Sequence, residues 1–210
     1  MKRTFVALVA TLLVLGGCGS DDPQEPEKTV SSPSPQPNAS PEPTTPAPNE
    51  PAPAPAPADL VVKLGAVGPV RADMSKADAL KTGVFDADVP PPVEGCPNFP
   101  LKWKKQYKGV DVLTRDDGSI SSLGVFKGGP KTSKGIGYGS TLDELTKAYP
   151  NLSPVVDAGF NQAGAYEFTD TEFIGFLFGE ETVSSIKGSS KISFIEVTVG
   201  DKPDLIRDGC

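Results

Sequence analysis

The sequence predicts an α+β fold in which a short helix followed by three or four antiparallel strands occurs twice, after a long proline-rich tether. Three observations predict it. Two segments carry the same helix-start signal, an alternating apolar pattern follows each of them, and thirteen of the forty residues in 19–58 are proline. These patterns divide the chain into a leader (1–17), a disordered tether (18–58), a first α/β repeat (59–130) and a second α/β repeat (131–210).

The leader has the layout of an export signal. Lys2 and Arg3 precede an apolar run at 5–15, which at about 1.5 Å per residue is too short to span a membrane core of roughly 30 Å. The run closes with Leu-Gly-Gly-Cys at 15–18, which resembles the lipobox of bacterial lipoproteins. The resemblance implies a diacylglyceryl group with acyl lipid on Cys18. We therefore expect a chain anchored at the extracytoplasmic face of the cell membrane. The alternative is an ordinary secretory signal with a chance cysteine.

The tether is expected to be a stiff spacer. Between residues 19 and 58 there is no aromatic residue, and Val30 is the one large aliphatic side chain. Such a composition cannot bury enough apolar area to offset the entropy of ordering. A polyproline-II bias at about 3.1 Å per residue gives a reach of roughly 120 Å. We therefore interpret the segment as a stalk that lifts a domain off the membrane. The alternative is a PxxP recognition ligand.

The charge balance argues against nucleic acid. From Asp59 onward the chain has 17 basic and 21 acidic residues, and the tether carries six acids and one lysine. No basic stripe is evident in the sequence, which disfavours nucleic acid and anionic lipid as main partners. We expect the partner to be an envelope protein or a cell-wall polymer.

Two cysteines remain once Cys18 is assigned to the lipid. Two thiols in an exported domain favour a disulfide, here between Cys96 and Cys210. A ring of this size would stabilise the fold by about 4–5 kcal/mol in the loop-entropy account. Two independent free thiols are the alternative.

Each predicted helix starts with a capping box. Ser75 stands three residues before Asp78, and Thr141 stands three residues before Glu144. In such a box the hydroxyl accepts a hydrogen bond from a free helix amide, and the acid reaches back to the cap amide. Gly83 suits the end of the first helix.

Alternating patterns and turn signals predict strands after each helix. Asp-Asp-Gly at 116–118 is expected to turn one hairpin. The strands are expected at residues 101–107, 110–113, 120–126, 165–168, 173–178, 183–186 and 192–199.

The motif Gly-x-Gly-x-Thr-x-x-Glu-x-x-x-Ala-Tyr at 137–149 looks like exported actinobacterial lipoprotein domains of unassigned function. The wider pattern, a helical segment feeding a meander twice, is similar to the fold of the β-lactamase inhibitor protein and resembles the small domain of outer-membrane assembly lipoproteins. This resemblance covers most of residues 65–200. The resemblance implies a tandem α/β fold, but no residue that marks an inhibitor is present, so no binding residue is carried over.

The chain contains no histidine, which removes Ser-His-Asp and Cys-His catalysis and histidine metal ligands. Five other patterns are interpreted as structural, and no metal site or cofactor is expected. They are Ser184-x-x-Lys187, which lacks the other penicillin-binding motifs; the glycine-rich stretches 128–132 and 135–139; the turn 116–118; and Glu180-Glu181.

One local basic patch with aromatic residues is a candidate binding site, formed by Lys102, Trp103, Lys104 and Tyr107. Aromatic faces stack on sugars and lysine binds phosphate, so the patch could hold a glycan or an anionic polymer. The alternative is an edge strand protected by lysines, with both aromatic side chains in the core. We expect a non-enzymatic binding module at the cell envelope. An inhibitor or modulator of an extracytoplasmic enzyme is the second hypothesis, and a carboxylate-based wall enzyme is the third.

Overall fold

A computed structural model describes residues 53–91, 94, 98–179 and 182–207, which belong to one compact unit, Ala47–Cys210. The leader and most of the tether lie outside the described residues, and so do Cys18, Cys96 and Cys210. Glu180 and Glu181 also lie outside them. The lipid attachment and the disulfide therefore stay predictions.

Strands dominate the described part of the chain. Its helices are α1 (Lys76–Lys81) and α2 (Leu142–Ala148), with a short 3-10 helix at Pro57–Asp59. Its strands are β1 (Val62–Lys63), β2 (Ala66–Val67), β3 (Val70–Arg71), β4 (Phe85–Val89), β5 (Phe99–Trp103), β6 (Val110–Thr114), β7 (Ile120–Val125), β8 (Val156–Asp157), β9 (Ala163–Phe168), β10 (Glu172–Phe178) and β11 (Ile192–Val199). The fold is thus a mixture of helix and sheet in which antiparallel sheet is the larger share. Among the described residues, no helix has the length and apolar character needed to cross a bilayer.

The largest sheet has six antiparallel strands in the order β6-β7-β11-β10-β9-β8. Strands from both predicted repeats share it, and β11 lies between β7 and β10 although it is the last described strand in the chain. The strands β1–β3 form a small three-stranded sheet, and β4 pairs with β5 in a two-stranded ribbon. The division into repeats stays a prediction.

Most of the expected strands are confirmed. The hairpin around residues 116–118 is formed by β6 and β7, and β10 and β11 cover the strands expected at 173–178 and 192–199. The strand expected at 101–107 ends at Trp103, because the chain turns there and the amide of Tyr107 donates to the carbonyl of Lys104 at 2.9 Å.

The strand expected at 183–186 is wrong. Residues 183–185 form a turn, in which the amides of Ser185 and Ile186 donate to the carbonyl of Thr182 at 3.0 and 3.2 Å. The hydroxyl of Ser185 donates to the same carbonyl at 3.0 Å. Short hydroxyl side chains compete for backbone groups in this way, and β10 takes β11 as its partner instead.

Both helices begin where the capping signals predict. The hydroxyl of Thr141 accepts from the amide of Glu144 at 3.2 Å, and the Glu144 carboxylate accepts from the amide of Thr141 at 2.8 Å. Ser75 caps α1 by accepting from the amide of Asp78 at 3.1 Å, but the Asp78 carboxylate accepts from the Ser75 hydroxyl rather than from its amide. The box at α2 is therefore complete and the one at α1 is half formed.

The tether meets the folded unit earlier than the sequence predicts. Its last two residues, Pro57 and Ala58, expected to be disordered, begin the 3-10 helix Pro57–Asp59. The hydroxyl of Tyr107 donates to the carbonyl of Pro55 at 2.8 Å. A buried tyrosine hydroxyl needs a partner, and the tether backbone supplies it.

The six-stranded sheet buries both of its faces. The main core covers one face and includes Phe176, Phe178 and Ile195, with α1 and α2 contributing Ala79 and Leu145. A smaller cluster covers the other face, here called the outer face. It consists of Tyr166, Leu177, Phe194 and Leu205. Alternation along β11 explains the division, since Ile195 and Val197 point to the main core while Phe194 and Glu196 point outward.

Candidate binding surfaces

The aromatic side chains of the patch at Lys102, Trp103, Lys104 and Tyr107 belong to the core. Trp103 is 6% exposed and Tyr107 is 5% exposed, and their ring centroids lie 5.7 Å apart. The indole nitrogen of Trp103 donates to the carbonyl of Asp111 at 2.9 Å. Lys102 is exposed, and the Lys104 Nζ donates to the carbonyl of Gly83 at 2.7 Å. This burial agrees with the edge-strand interpretation and leaves no free aromatic face for stacking on a sugar.

The other sequence patterns form turns. Ser184 lies in the turn 183–185, where its hydroxyl is 3.0 Å from that of Thr182, so Ser184 and Lys187 do not lie on one helix. The amide of Gly139 donates to the carbonyl of Ile192 at 2.8 Å, which ties the glycine-rich stretch to β11. In the hairpin turn, the amide of Ser119 donates to the carboxylate of Asp117 at 2.8 Å. Among the described residues, no group of three Cys, Asp or Glu side chains is placed to hold a metal ion.

The C-terminal segment crosses the outer face of the sheet over glycine residues. Leu205, which is 1% exposed, sits above Gly164 of β9 and Gly175 of β10. A Cβ on Gly164 would stand 2.5 Å from the Leu205 Cδ1, and one on Gly175 would stand 2.7 Å from the Cδ2. The two glycines therefore form a notch that only a side chain from another segment can fill.

A charged cluster holds the same segment in place. The Arg207 Nη1 donates to Glu196 at 2.5 Å and its Nε donates to Asp111 at 3.1 Å, while the amide of Leu205 donates to Glu196 at 2.7 Å. Asp111, Gly124 and Glu196 lie side by side on β6, β7 and β11. A side chain at Gly124 would collide with Asp111. Because Glu196 and Arg207 are nearly buried, removing Arg207 would leave the Glu196 carboxylate as a buried charge without its counter-ion.

Beside this segment, the turn between β8 and β9 presents a phenylalanine to solvent. Phe160 is 80% exposed, and its φ of +52° is followed by a φ of +59° at Asn161. The amide of Gln162 donates to the carbonyl of Gly159 at 2.9 Å, so Phe160 and Asn161 are the two central residues of a tight turn. Two positive φ values in a hairpin turn favour Asn and Gly, not a bulky aromatic residue.

An apolar groove of about 430 Å³ lies next to Phe160. The rings of Phe126 and Phe194 line it with their centroids 4.7 Å apart, and Ile206 contributes a side chain that is 36% exposed. The Arg207 guanidinium lies 4.9 Å above the ring of Phe194. We call Phe160, Phe126, Phe194 and Ile206 the Phe160 surface.

The chemistry of this surface suits binding rather than catalysis. Of the described residues that line the groove, Arg207 is the one with an ionisable side chain, and Asp111 and Glu196 already engage it. Behind the groove, burial raises the pKa of Tyr166, so its phenol stays neutral, and Lys202 lies 4.1 Å from its ring centroid. Aromatic side chains with one arginine are typical of the centres of protein–protein interfaces.

Comparisons of the chain with protein-family models, with curated proteins and with solved structures found no match. The surface is therefore interpreted from its own geometry. Sequence reasoning missed Phe160 and Arg207. The sequence does contain a signal for Phe160, because the flanking Gly159 and Asn161 indicate a turn. An aromatic residue at the tip of such a turn is unusual. Arg207 has no such local signal, because its partners are distant in sequence.

Proposed function

We propose that this chain is a lipid-anchored lipoprotein of the cell envelope whose folded unit binds another envelope protein, without catalysing a reaction. The single observation that carries the binding role is Phe160, an exposed aromatic side chain at a position with a positive φ. The Phe160 surface is the site proposed for the partner.

Phe160 is unfavourable for the isolated chain in two ways. A left-handed backbone costs a residue with a Cβ about 1–2 kcal/mol relative to glycine. The exposed ring also forgoes the burial that usually stabilises a phenylalanine by roughly 1.5–3 kcal/mol. Local conflicts of this kind are expected at functional sites, where a partner supplies the missing contact.

The neighbouring groove supports the same role. A partner side chain that enters between Phe160 and the Phe126–Phe194 pair would be enclosed on two sides by aromatic rings. Large, rigid aromatic anchors carry much of the free energy in protein interfaces, since few rotamers are lost when they bind. The proposed partner therefore offers an apolar side chain to this groove.

The test compares two substitutions in one turn. Phe160→Gly removes the ring, whereas Asn161→Gly keeps it, and glycine suits the positive φ of both positions. We expect both variants of the full chain to keep the unfolding midpoint within a few degrees of the parent. In cells of the native host, chemical crosslinking should capture one specific protein with the parent and with Asn161→Gly, but not with Phe160→Gly.

A second aromatic position serves as a further control. Phe168 is 55% exposed and stacks on Phe173, with ring centroids 5.9 Å apart. Phe168→Ala should leave the crosslinked product unchanged. The binding proposal fails if Phe160→Gly retains the crosslinked protein at the level of the parent.

The anchor is tested separately at Cys18. Cys18→Ser removes the thiol that the lipid would occupy, so the variant should leave the membrane fraction, and the parent should carry the mass of the diacylglyceryl group. A parent chain without that added mass contradicts the anchor and leaves the binding test unaffected.

The protruding turn also favours the second hypothesis, an inhibitor or modulator of an extracytoplasmic enzyme, because such a loop can plug a cleft. The discriminating measurement is whether the purified chain slows a wall hydrolase or β-lactamase from the same cells. Inhibition by the parent and not by Phe160→Gly would support it, and unchanged rates for every such enzyme would remove it.

We also propose that residues 59–130 and 131–210 are tandem copies of one α/β unit similar to β-lactamase inhibitor protein-like domains. Four strands follow each helix, β4–β7 after α1 and β8–β11 after α2, and each helix has a hydroxyl cap with an acid three residues later. An experimental structure whose two halves do not superpose would contradict this.

A further inference from the structure

Lysines are concentrated in two stretches of an acidic chain. Residues 99–110 and 126–142 contain seven lysines and no aspartate or glutamate, although the whole chain has a formal charge of −7. The two stretches meet, because the amide of Phe126 donates to the carbonyl of Gly109 at 2.8 Å. Gly109 and Gly129 approach so closely that a Cβ on either would collide with the backbone of the other. Two separate lysine-rich segments thus form one surface.

This surface is concave on both sides of Tyr107. A cavity of about 570 Å³ is lined by Lys108, Lys131 and the backbone between Gly128 and Pro130, with no acidic residue in its described lining. A second cavity of about 350 Å³ is lined by Lys102, Lys104 and Lys105, together with Arg207 and Asp111, which pair with each other. Tyr107 lines both cavities, so the two lie next to each other, and we call them together the basic groove.

Several of these charges are free for a ligand. In the part of the chain that the structure describes, Lys105, Lys108, Lys127 and Lys131 form no ion pair within 4.0 Å. The acids at the margin are few. Asp59 follows Ala58 at the rim of the first cavity. Asp86 faces Lys102 across the β4–β5 ribbon. Glu144 is the third acid, and the charge of Lys131 helps to lower its pKa.

We infer that the basic groove is a second binding site, for a linear phosphate-bearing polymer of the cell envelope. Lysine binds phosphate as a point charge, and a row of lysines along a groove suits a chain that carries regularly spaced anions. Lys108 and Lys131 border a concave cavity, a shape that suits a narrow chain better than a flat membrane surface. The site lies on β5, β6 and the loops beside them, and Phe160 lines neither of its cavities, although Arg207 borders both this site and the Phe160 surface.

The test measures binding of a synthetic poly(glycerol phosphate) to a soluble form, residues 19–210, which retains the whole compact unit. We expect salt-sensitive binding to this probe and none to neutral dextran. Lys108→Glu with Lys131→Glu should weaken binding by at least about twentyfold, because each lost lysine costs about fivefold near an anionic surface and each new carboxylate adds repulsion. Lys147→Glu with Lys187→Glu makes the same charge change at exposed positions outside the groove and should have little effect.

Circular dichroism and the unfolding midpoint show whether both double variants fold. Equal losses in the two double variants would overturn the inference, because net charge rather than the groove would then explain binding. Binding to phosphatidylglycerol vesicles that exceeds binding to the polymer would overturn it in favour of lipid. Polyglutamate that binds as tightly as the phosphate polymer would overturn the preference for phosphate.

Discussion

The packing of Leu205 against Gly164 and Gly175 on the outer face of the sheet should contribute measurably to the free energy of unfolding. Leu205→Ala empties a site in which the side chain is 1% exposed. Buried Leu→Ala changes cost about 2.7–5 kcal/mol. A value in the lower half of this range applies here, because Leu205 lies in a segment outside the strands and helices, which can settle into the space. We expect a loss of about 3 kcal/mol in the free energy of unfolding. Ile206→Ala, at a residue 36% exposed, should cost less than about 1 kcal/mol.

Gly164→Ala perturbs the same contact from the opposite side. Its new methyl group would stand 2.5 Å from the Leu205 Cδ1 and 3.3 Å from the Ala158 Cβ, so Leu205 must shift. Overpacking of this kind costs about 1–3 kcal/mol. In the double variant, the Gly164→Ala methyl partly fills the space that Leu205→Ala opens. The double variant should therefore lose about 3 kcal/mol rather than the sum of about 5, a coupling of about 2 kcal/mol.

Urea denaturation followed by fluorescence measures these values, since Trp103 is the one tryptophan in the chain and is buried between Phe85 and Tyr107. Far-UV circular dichroism should give the same midpoints if unfolding is two-state. Additive effects of Leu205→Ala and Gly164→Ala would refute the notch, because residues that do not share a contact do not couple.

Three further outcomes are expected. Thr141→Ala should lower the free energy of unfolding by about 1 kcal/mol, whereas Thr141→Ser, which keeps the capping hydroxyl, should lower it much less. Thermal unfolding measures both values. Equal losses in the two variants would contradict the cap. The pKa of Glu144 is lowered chiefly by a hydrogen bond from the amide of Thr141. The Glu144 carboxylate therefore binds a proton less tightly in the folded state than in the unfolded state. The free energy of unfolding should fall as the pH drops below about 4.5. Glu144→Gln, which cannot ionise, should flatten that dependence in acid titrations followed by circular dichroism. If Cys96 and Cys210 form a bridge, reduction should add the mass of two hydrogens to the intact soluble chain, and an unchanged mass would show free thiols.

Local signals predict the helices and most strands because those elements depend on nearby residues. The capping box at Thr141 and Glu144 is complete within four residues, and the alternating pattern at 192–199 has the bounds of β11. The pattern at 183–186 failed because two apolar residues among hydroxyl side chains fit a turn as well as a strand. Pairing decides between the two, and pairing depends on a distant partner.

The candidate surfaces are less predictable because tertiary contacts create them. Arg207 and Asp111 are 96 residues apart in sequence, and neither has a local pattern that indicates the other. Lys108 and Lys131 line one cavity only because Gly109 and Gly129 pack together. The basic patch at 102–107 was visible in the sequence, but its aromatic members are buried. The proposed groove combines its lysines with those of a second loop.

The position of β11 also bears on when this chain can fold. The strand that joins β7 to β10 is the last described strand in the sequence, and the segment that seals the outer face follows it. A chain that emerges amino end first, from a ribosome or through a membrane channel, holds two incomplete sheet fragments until β11 and the segment after it are released. Such late, long-range strand pairing is slow and leaves sheet edges open to other chains. Premature termination or clipping before residue 192 should therefore yield aggregates rather than a smaller folded product.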